Sequence, residues 1–292
     1  MIAVLAALLP LALAIPYAKR VSTLRAIGRE PSLPRQLSFL AGLILIVATE
    51  LPPLGPTSLE LIWAHMLAHT LITDWAALLL VLGLTGPVLG PLVSAPVIRR
   101  LTVLFHPGAA LVLWIVLIGA WHTPALYQAA VSNDLLHFLE HASFLGAGLA
   151  LWLTVFGPFP QPAWFGGAAR VGLVVAVHLF SMALANAMMF SGTVFYPDYA
   201  ATALERGVDP LTDQGVAGAI LMGMGFIVML GVLTWELLRW ARHDTDRQEL
   251  IDFAEREGLE LDEARAARAA MAGQGDLLRE RLLEERKARG AR

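Results

Sequence analysis

Long apolar runs, each about the length of one membrane-spanning helix, dominate the first 238 residues of the chain. A helix needs roughly 20 apolar residues to cross the hydrocarbon core of a bilayer. Lipid offers no hydrogen bonds to an open backbone, so each run is predicted to be helical. The pattern predicts seven spans, near residues 1–18, 36–54, 58–82, 102–123, 134–156, 169–191 and 213–238.

The first apolar run has two interpretations. Ala12-Leu13-Ala14 resembles a signal-peptide cleavage site, which would make the run a removable leader. However, no basic residue precedes the run, whereas Lys19 and Arg20 follow it directly. A retained helix with its N-terminus outside is therefore predicted.

Basic residues fall in alternate loops between the predicted spans. Lys and Arg in short loops are retained on the cytoplasmic side during insertion. Among the opposite loops, only Arg206 carries a basic side chain. The loops predicted to be cytoplasmic contain Lys19, Arg20, Arg25, Arg29, Arg35, Arg99, Arg100 and Arg170. The pattern predicts an external N-terminus and a cytoplasmic C-terminus.

The charged residues are concentrated at the end of the chain. Only 15% of the 292 residues are charged, where soluble domains average about 25%. Residues 239–292 hold 12 of the 21 Lys and Arg and 13 of the 24 Asp and Glu. We predict an all-α polytopic membrane protein with two parts, a seven-helix transmembrane domain at 1–238 and a soluble helical cytoplasmic tail at 239–292.

The composition also excludes several functional classes. The chain contains no cysteine, which excludes a disulfide scaffold, a thiolate metal site and thiol catalysis. Its formal net charge of −3 gives no basic surface for a nucleic acid. The partner predicted by the apolar runs is the lipid bilayer.

Histidines are the candidate functional residues. Seven of the eight lie in or at the ends of predicted spans, where an ionisable side chain is costly and points to function. Five of them fall at the outer ends of three spans, and they should converge if these spans are neighbours. These five are His65, His69, His122, His137 and His141.

The remaining candidate ligands lie deeper in the bundle. His178 falls near the middle of the sixth span, with Met182 one turn further out. Imidazole and thioether without thiolate suit copper, and Cu(I) in particular accepts methionine sulfur. Met182 is predicted as a further ligand, with Met66 and His178 in support. Zinc and haem iron also bind paired histidines, so the residues alone leave the metal open.

Two alternative functions use the same histidines. His137-Phe138-Leu139-Glu140-His141 matches HxxEH, the inverted zinc-protease motif, in which the glutamate activates water. We instead interpret Glu140 as a carboxylate that orients an imidazole through its ring N–H. A bis-histidine membrane cytochrome would need histidines facing each other across helices, whereas each pair here lies along one helix.

An ordered set of short motifs resembles one known family. The motifs are His65-Met66-Leu67-Ala68-His69, His106-Pro107, Trp121-His122-Thr123-Pro124-Ala125-Leu126-Tyr127, His137-Phe138-Leu139-Glu140-His141, Tyr196-Pro197-Asp198-Tyr199 and Asp213-Gln214. Over roughly residues 36–238 the chain is similar to the seven-helix cytochrome c oxidase assembly factors of the CtaG family, associated with caa-type oxidases.

This resemblance implies a non-enzymatic, multi-pass protein of the bacterial cytoplasmic membrane. It would help to assemble a haem-copper oxidase by passing copper from a donor on the outer side to the catalytic subunit. The matching positions imply that the five outer histidines bind the metal, with Glu140 in support. The chain departs from the family pattern at Thr73-Asp74-Trp75 and at Leu221-Met222.

Overall fold

Every regular element that the computed structural model describes, over residues 2–94, 100 and 102–290, is a helix. Arg99 and Arg292, counted above among the basic residues, lie outside the described residues. The helices are α1 (Ile2–Arg25), α2 (Leu33–Glu50), α3 (Leu54–Ser58), α4 (Ile62–Thr70), α5 (Ala77–Gly83), α6 (Gly86–Ser94), α7 (Pro107–Trp121), α8 (Pro124–Ser132), α9 (Asp134–Phe156), α10 (Gly167–Phe190), α11 (Pro197–Glu205), α12 (Pro210–Arg256), α13 (Glu263–Met271) and α14 (Gly275–Gly290).

Five described helical runs are long and apolar enough to cross a membrane. They are α2, the run Ile62–Gly83, α9, α10 and α12. The pair α7 and α8 makes a sixth if it counts as one span, although it is bent by 70°. The all-helical prediction is confirmed, whereas the count of seven spans and their orientation stay predictions. α1 covers the first predicted span except for Met1, which lies outside the described residues.

Proline and capping residues set where several helices begin. Pro107, Pro124 and Pro197 each occupy the first helical turn, where a missing N–H costs nothing and the fixed φ suits the helix. His106 caps α7, and its Nδ1 accepts a hydrogen bond from the Gly108 N–H at 3.3 Å. This helix therefore begins at residue 107, five residues later than the predicted span.

Two runs form the centre of the first compact unit, Met1–Met229. Each run contains an apolar stretch of 18 residues, and 61% of this stretch in Ile62–Gly83 and 67% in α9 is buried inside the protein. The buried share of the corresponding stretch is only 22–39% in α2, α10 and α12. α9 packs against α5, α7 and α8, and α2 packs against α5. The two central runs carry four of the five histidines predicted to converge, so these side chains lie among helices and not against lipid.

A π-helical segment, Leu71–Ala76, joins α4 to α5 and touches a glycine on each flanking helix. A Cβ added at Gly148 of α9 would lie 2.1 Å from the Thr73 carbonyl oxygen. A Cβ added at Gly42 of α2 would lie 2.9 Å from the Ala76 carbonyl oxygen. Small residues let membrane helices approach this closely, and π turns are frequent at functional sites.

We expect Gly148→Ala to destabilise the protein by about 1–3 kcal/mol, because the added methyl meets main-chain atoms that cannot rotate away. Gly146→Ala is the matched control on the same helix, since nothing lies within 4 Å of its added Cβ. The unfolding temperature in detergent, measured for each variant and for the wild type, tests this prediction. Equal unfolding temperatures for the two would contradict the close contact between α9 and the π segment.

The first basic loop and the end of α5 lie at the same end of this unit. Arg35 donates to the Leu82 carbonyl oxygen at 2.9 Å, and Arg20 donates to the Pro87 carbonyl oxygen at 2.8 Å. Leu82 lies in the last turn of α5, where the carbonyl groups have no partner within the helix and a cationic side chain can satisfy them. The start of α4, with its histidines, therefore lies at the opposite end from these basic residues.

The second compact unit, Leu230–Arg292, contains the tail. The predicted boundary at residue 238 lies inside α12. Leu250, Ala266, Leu278 and Leu282 form a small apolar core between the end of α12, α13 and α14. The unit is thus helical, and residues 272–274 separate α13 from α14.

Candidate metal centre

Five histidines gather at one end of the first unit. His65 and His69 lie one turn apart on α4, His137 and His141 one turn apart on α9, and His122 directly follows α7. All five are buried, with 1% to 7% of each residue exposed. Residues four apart share one helix face, so each pair turns both imidazoles towards the other helix.

The imidazole rings lie close to one another. The ring centroids of His65 and His69 are 4.1 Å apart, and those of His137 and His141 are 4.3 Å apart. Across the helices, His69 lies 5.1 Å from His141 and 6.2 Å from His122. The tertiary structure thus brings together the five histidines that the sequence placed on three separate spans.

Hydrogen bonds fix the orientation of two rings at their Nδ1 atoms. The Nδ1 of His122 lies 2.7 Å from the Ile118 carbonyl oxygen, which can only accept. The Nδ1 of His141 lies 2.8 Å from Oε1 of Glu50 at the end of α2. In both rings Nδ1 therefore donates, which leaves the Nε2 lone pair of the neutral imidazole for a metal.

His65 is oriented by a tyrosine on α11. The Tyr199 hydroxyl donates to the Ser58 carbonyl oxygen at 2.7 Å, and its oxygen lies 2.8 Å from the Nδ1 of His65. Since the hydroxyl proton is already used, His65 Nδ1 must be the donor in this contact. Burial raises the pKa of the Tyr199 hydroxyl well above its ordinary value, so the group stays neutral.

Among the residues that the structure describes, the Nε2 atoms of the five rings find no hydrogen-bond partner. His69 also lacks a partner at Nδ1. Buried polar atoms are nearly always paired, so a group of unpaired atoms in one place requires an explanation. A bound cation that accepts these lone pairs would supply it.

Glu140 adds a carboxylate to the same group. It is fully buried, and neither of its oxygens makes a hydrogen bond. Oε1 lies 3.7 Å from the Nε2 of His69, and Oε2 lies 3.8 Å from the Nε2 of His65. One candidate ligand atom from each of His65, His137, Glu140 and His141 lies within 4.8 Å of the others. We define the histidine cluster as His65, His69, His122, His137, His141 and Glu140.

Glu50 makes the contact that the sequence assigned to Glu140. Glu140 faces the Nε2 atoms without a hydrogen bond, whereas Glu50 accepts one from an imidazole Nδ1. Sequence reasoning missed Glu50. The available signal was an isolated acid among the apolar residues of the second predicted span, 36–54.

Helix α11 covers one end of the cluster through two tyrosines. Besides the contact of Tyr199, the Tyr196 hydroxyl donates to the His122 carbonyl oxygen at 2.9 Å. Both tyrosines pack with Tyr127, Met66 and Met188 in a buried apolar group. This explains the motif Tyr196-Pro197-Asp198-Tyr199, in which the proline begins the helix and the tyrosines anchor it.

Asp213 and Gln214 hold the backbone around the cluster. The carboxylate oxygens of Asp213 accept the Ile62 and Trp63 N–H groups, each at 3.0 Å, at the start of α4. A carboxylate at a helix N-terminus satisfies donors that have no partner within the helix. Gln214 accepts the Phe195 N–H at 2.8 Å and so positions the chain just before α11.

Three other predicted residues lie outside the histidine cluster. Met66 is fully buried and lines a cavity of about 20 Å³ beside His69 and His122. His178 lines a second cavity further along the bundle. Met182 is partly buried on α10, where its carbonyl oxygen accepts a hydrogen bond from Asn186 at 2.7 Å. A role for Met182 as a ligand stays a prediction.

The chain matches the model of a known family. The family model described as the cytochrome c oxidase caa3 assembly factor (Caa3_CtaG) matches residues 15–243. No curated protein and no solved structure matches the chain. The matched range contains every residue of the histidine cluster together with Glu50, Tyr196 and Tyr199.

Proposed function

The chain belongs to the cytochrome c oxidase caa3 assembly factor family, and on that premise we propose that it binds Cu(I) in the histidine cluster and passes it to the oxidase. The observation that carries the proposal is the set of buried imidazole Nε2 atoms without partners beside the unpaired Glu140 carboxylate. Copper is the cargo of the protein and not a resident cofactor.

The donors suit this cargo. Neutral imidazole binds copper well, and three rings are already turned by their Nδ1 hydrogen bonds to offer Nε2. The charge of Glu140 would be balanced by the cation, which removes the cost of a buried, unpaired carboxylate. A haem-copper oxidase is also the product that this family helps to assemble, so a copper cargo matches the task.

The number of donor atoms in the histidine cluster supports the transfer of Cu(I) to the oxidase. Five imidazoles and one carboxylate exceed the four positions of a tetrahedral ion. The ion can therefore exchange one ligand for another while it stays bound, and a docked oxidase subunit can take it by the same exchange. No electron is gained or lost in these steps, because copper remains Cu(I) throughout.

We place the protein in the bacterial cytoplasmic membrane with the histidine cluster on the outer side. Copper would arrive there from an external donor, and the catalytic subunit of the oxidase would receive it within the membrane. The separation of the cluster from the basic residues of the first loop supports this placement, since such residues stay in the cytoplasm.

The cavity beside His69 and His122 has a volume that suits a single ion. It measures about 20 Å³, which is room for one water. This volume favours transfer of an ion over the zinc hydrolase that HxxEH would indicate and over the bis-histidine cytochrome, since both need room for a larger ligand.

Anaerobic titration of the purified protein with Cu(I), against a competing chromophoric chelator, tests the proposal. We expect the wild type to bind Cu(I) and the His65→Ala/His137→Ala variant to lose the tightest equivalent, because two imidazoles of the closest group are removed. His243→Ala in the tail is the matched control and should bind as the wild type does. Undiminished binding by the double variant would refute the assignment of the site.

A further inference from the structure

A second cavity lies beyond the first, further from the histidine cluster. It measures about 20 Å³ and is lined by His178, Asp74, Trp114, Ser181 and Met229, among others. Asp74, Trp114 and Ser181 line the first cavity as well, so the two cavities share a wall. We call them the upper cavity, beside His69 and His122, and the lower cavity, beside His178.

The lower cavity contains polar atoms without partners. The Nδ1 of His178 and the indole Nε1 of Trp114 are buried and make no hydrogen bond. Asp74 forms no ion pair within the part of the chain that the structure describes. His178 is close to the middle of α10, so these groups lie well inside the bundle. The carboxylate of Asp74, which is partly buried in the same cavity wall, can balance the charge of a cation bound there.

A glycine keeps the front of His178 open. Gly225 of α12 faces this ring, and a Cβ at that position would lie 3.2 Å from Nδ1. A methyl group there would occupy the approach to the lone pair. Gly223, two residues earlier, has nothing within 4 Å of an added Cβ. The space beside His178 therefore depends on one glycine.

We propose that the lower cavity is a second binding site for the Cu(I) cargo, reached from the histidine cluster through the upper cavity. His178 Nδ1 and the Met229 thioether would be the donors, and Asp74 would supply the balancing charge. The inference rests on the proposed function, because it concerns the same ion. It gives the ion a position in mid-membrane, between the outer cluster and an oxidase subunit docked against the helices.

The donors at the two sites differ in a way that favours passage of the Cu(I) ion through the protein. The histidine cluster offers five imidazoles and one carboxylate, whereas the lower cavity offers one imidazole, one thioether and one carboxylate. The lower site should therefore bind more weakly. Asp74, in the wall common to both cavities, would balance the charge of the ion along the whole path.

Counting Cu(I) equivalents in the full-length protein tests the second site. We expect two equivalents in the wild type, with the weaker one lost in Gly225→Ala and in His178→Ala. The matched control Gly223→Ala should retain both. In Asp74→Asn, which keeps the shape of the side chain, the weaker equivalent should bind at least tenfold less tightly.

The possible results separate this inference from the proposed function. One equivalent in the wild type, lost in His65→Ala/His137→Ala but kept in His178→Ala, would overturn the second site and leave the histidine cluster intact. Two equivalents retained in both Gly225→Ala and His178→Ala would also overturn it. A wild type that binds no Cu(I) would refute the proposed function itself.

Discussion

Replacing Glu140 with glutamine should weaken Cu(I) binding by about 100-fold or more. At about 4 Å, two unit charges attract each other by roughly 4 kcal/mol when the effective dielectric constant is near 20. Each 1.4 kcal/mol corresponds to about a factor of ten in affinity. Glu140 is fully buried beside the Nε2 atoms of His65 and His69, so its charge acts on the ion with little screening.

The same substitution should leave the metal-free protein at least as stable as the wild type. A buried carboxylate without a hydrogen bond costs free energy, and the amide of glutamine removes that charge with almost the same shape. Glu140→Gln thus acts in opposite directions on stability and on metal affinity. If Glu140 only held the fold together, its replacement would lower both the stability and the metal affinity.

Thermal unfolding with and without Cu(I) measures the two effects together. Wild type should unfold at a higher temperature when the metal is present, because a ligand that binds only the folded state stabilises it. Glu140→Gln should lose most of this increase, whereas Asp198→Asn on the exposed side of α11 should retain it. A destabilised Glu140→Gln protein that still binds copper tightly would contradict the role of this carboxylate.

Oxidase made in cells that carry only the His65→Ala/His137→Ala variant should contain haem and lack copper. The reason is that the variant removes ligands for the cargo and leaves haem insertion untouched. Loss of groups that merely support a metal ligand already costs 10–100-fold in affinity or activity. We therefore expect oxidase activity to fall at least tenfold.

The ratio of copper to haem in the purified oxidase measures this effect. Cells with His243→Ala should produce oxidase with the wild-type ratio of copper to haem. In cells with His65→Ala/His137→Ala, excess copper in the medium should partly restore this ratio. An oxidase with a normal copper content would point to a role in assembly that does not involve copper. Loss of haem together with copper would indicate a general failure of folding or docking.

The sequence predicted most of the helices correctly because their signal is local. A run of about 20 apolar residues must be helical in lipid, whatever its neighbours are. Prolines and caps then determine the ends, as at His106-Pro107 and Asn133. The bend after Trp121 and the π segment Leu71–Ala76 were not predicted, because both depend on how the helices pack.

The sequence located the histidines but not what holds them. Spacing of four residues put each pair on one face, and depth along the spans put all five near one level. Glu50 and Tyr199 escaped notice because each comes from a different part of the chain and acts only by contact with an imidazole. Such contacts leave no periodic pattern in the sequence.

What the sequence determined by itself is therefore the class of protein, because its apolar runs predict membrane spans and its motifs indicate the family. Its lack of cysteine leaves imidazole as the main candidate donor for a metal. Only the tertiary structure decided that Glu140 lies among the Nε2 atoms and that Asp74 lines two cavities in a row. The physical reason is that an ion is held by atoms a few ångströms apart in space, and helix packing alone sets those distances.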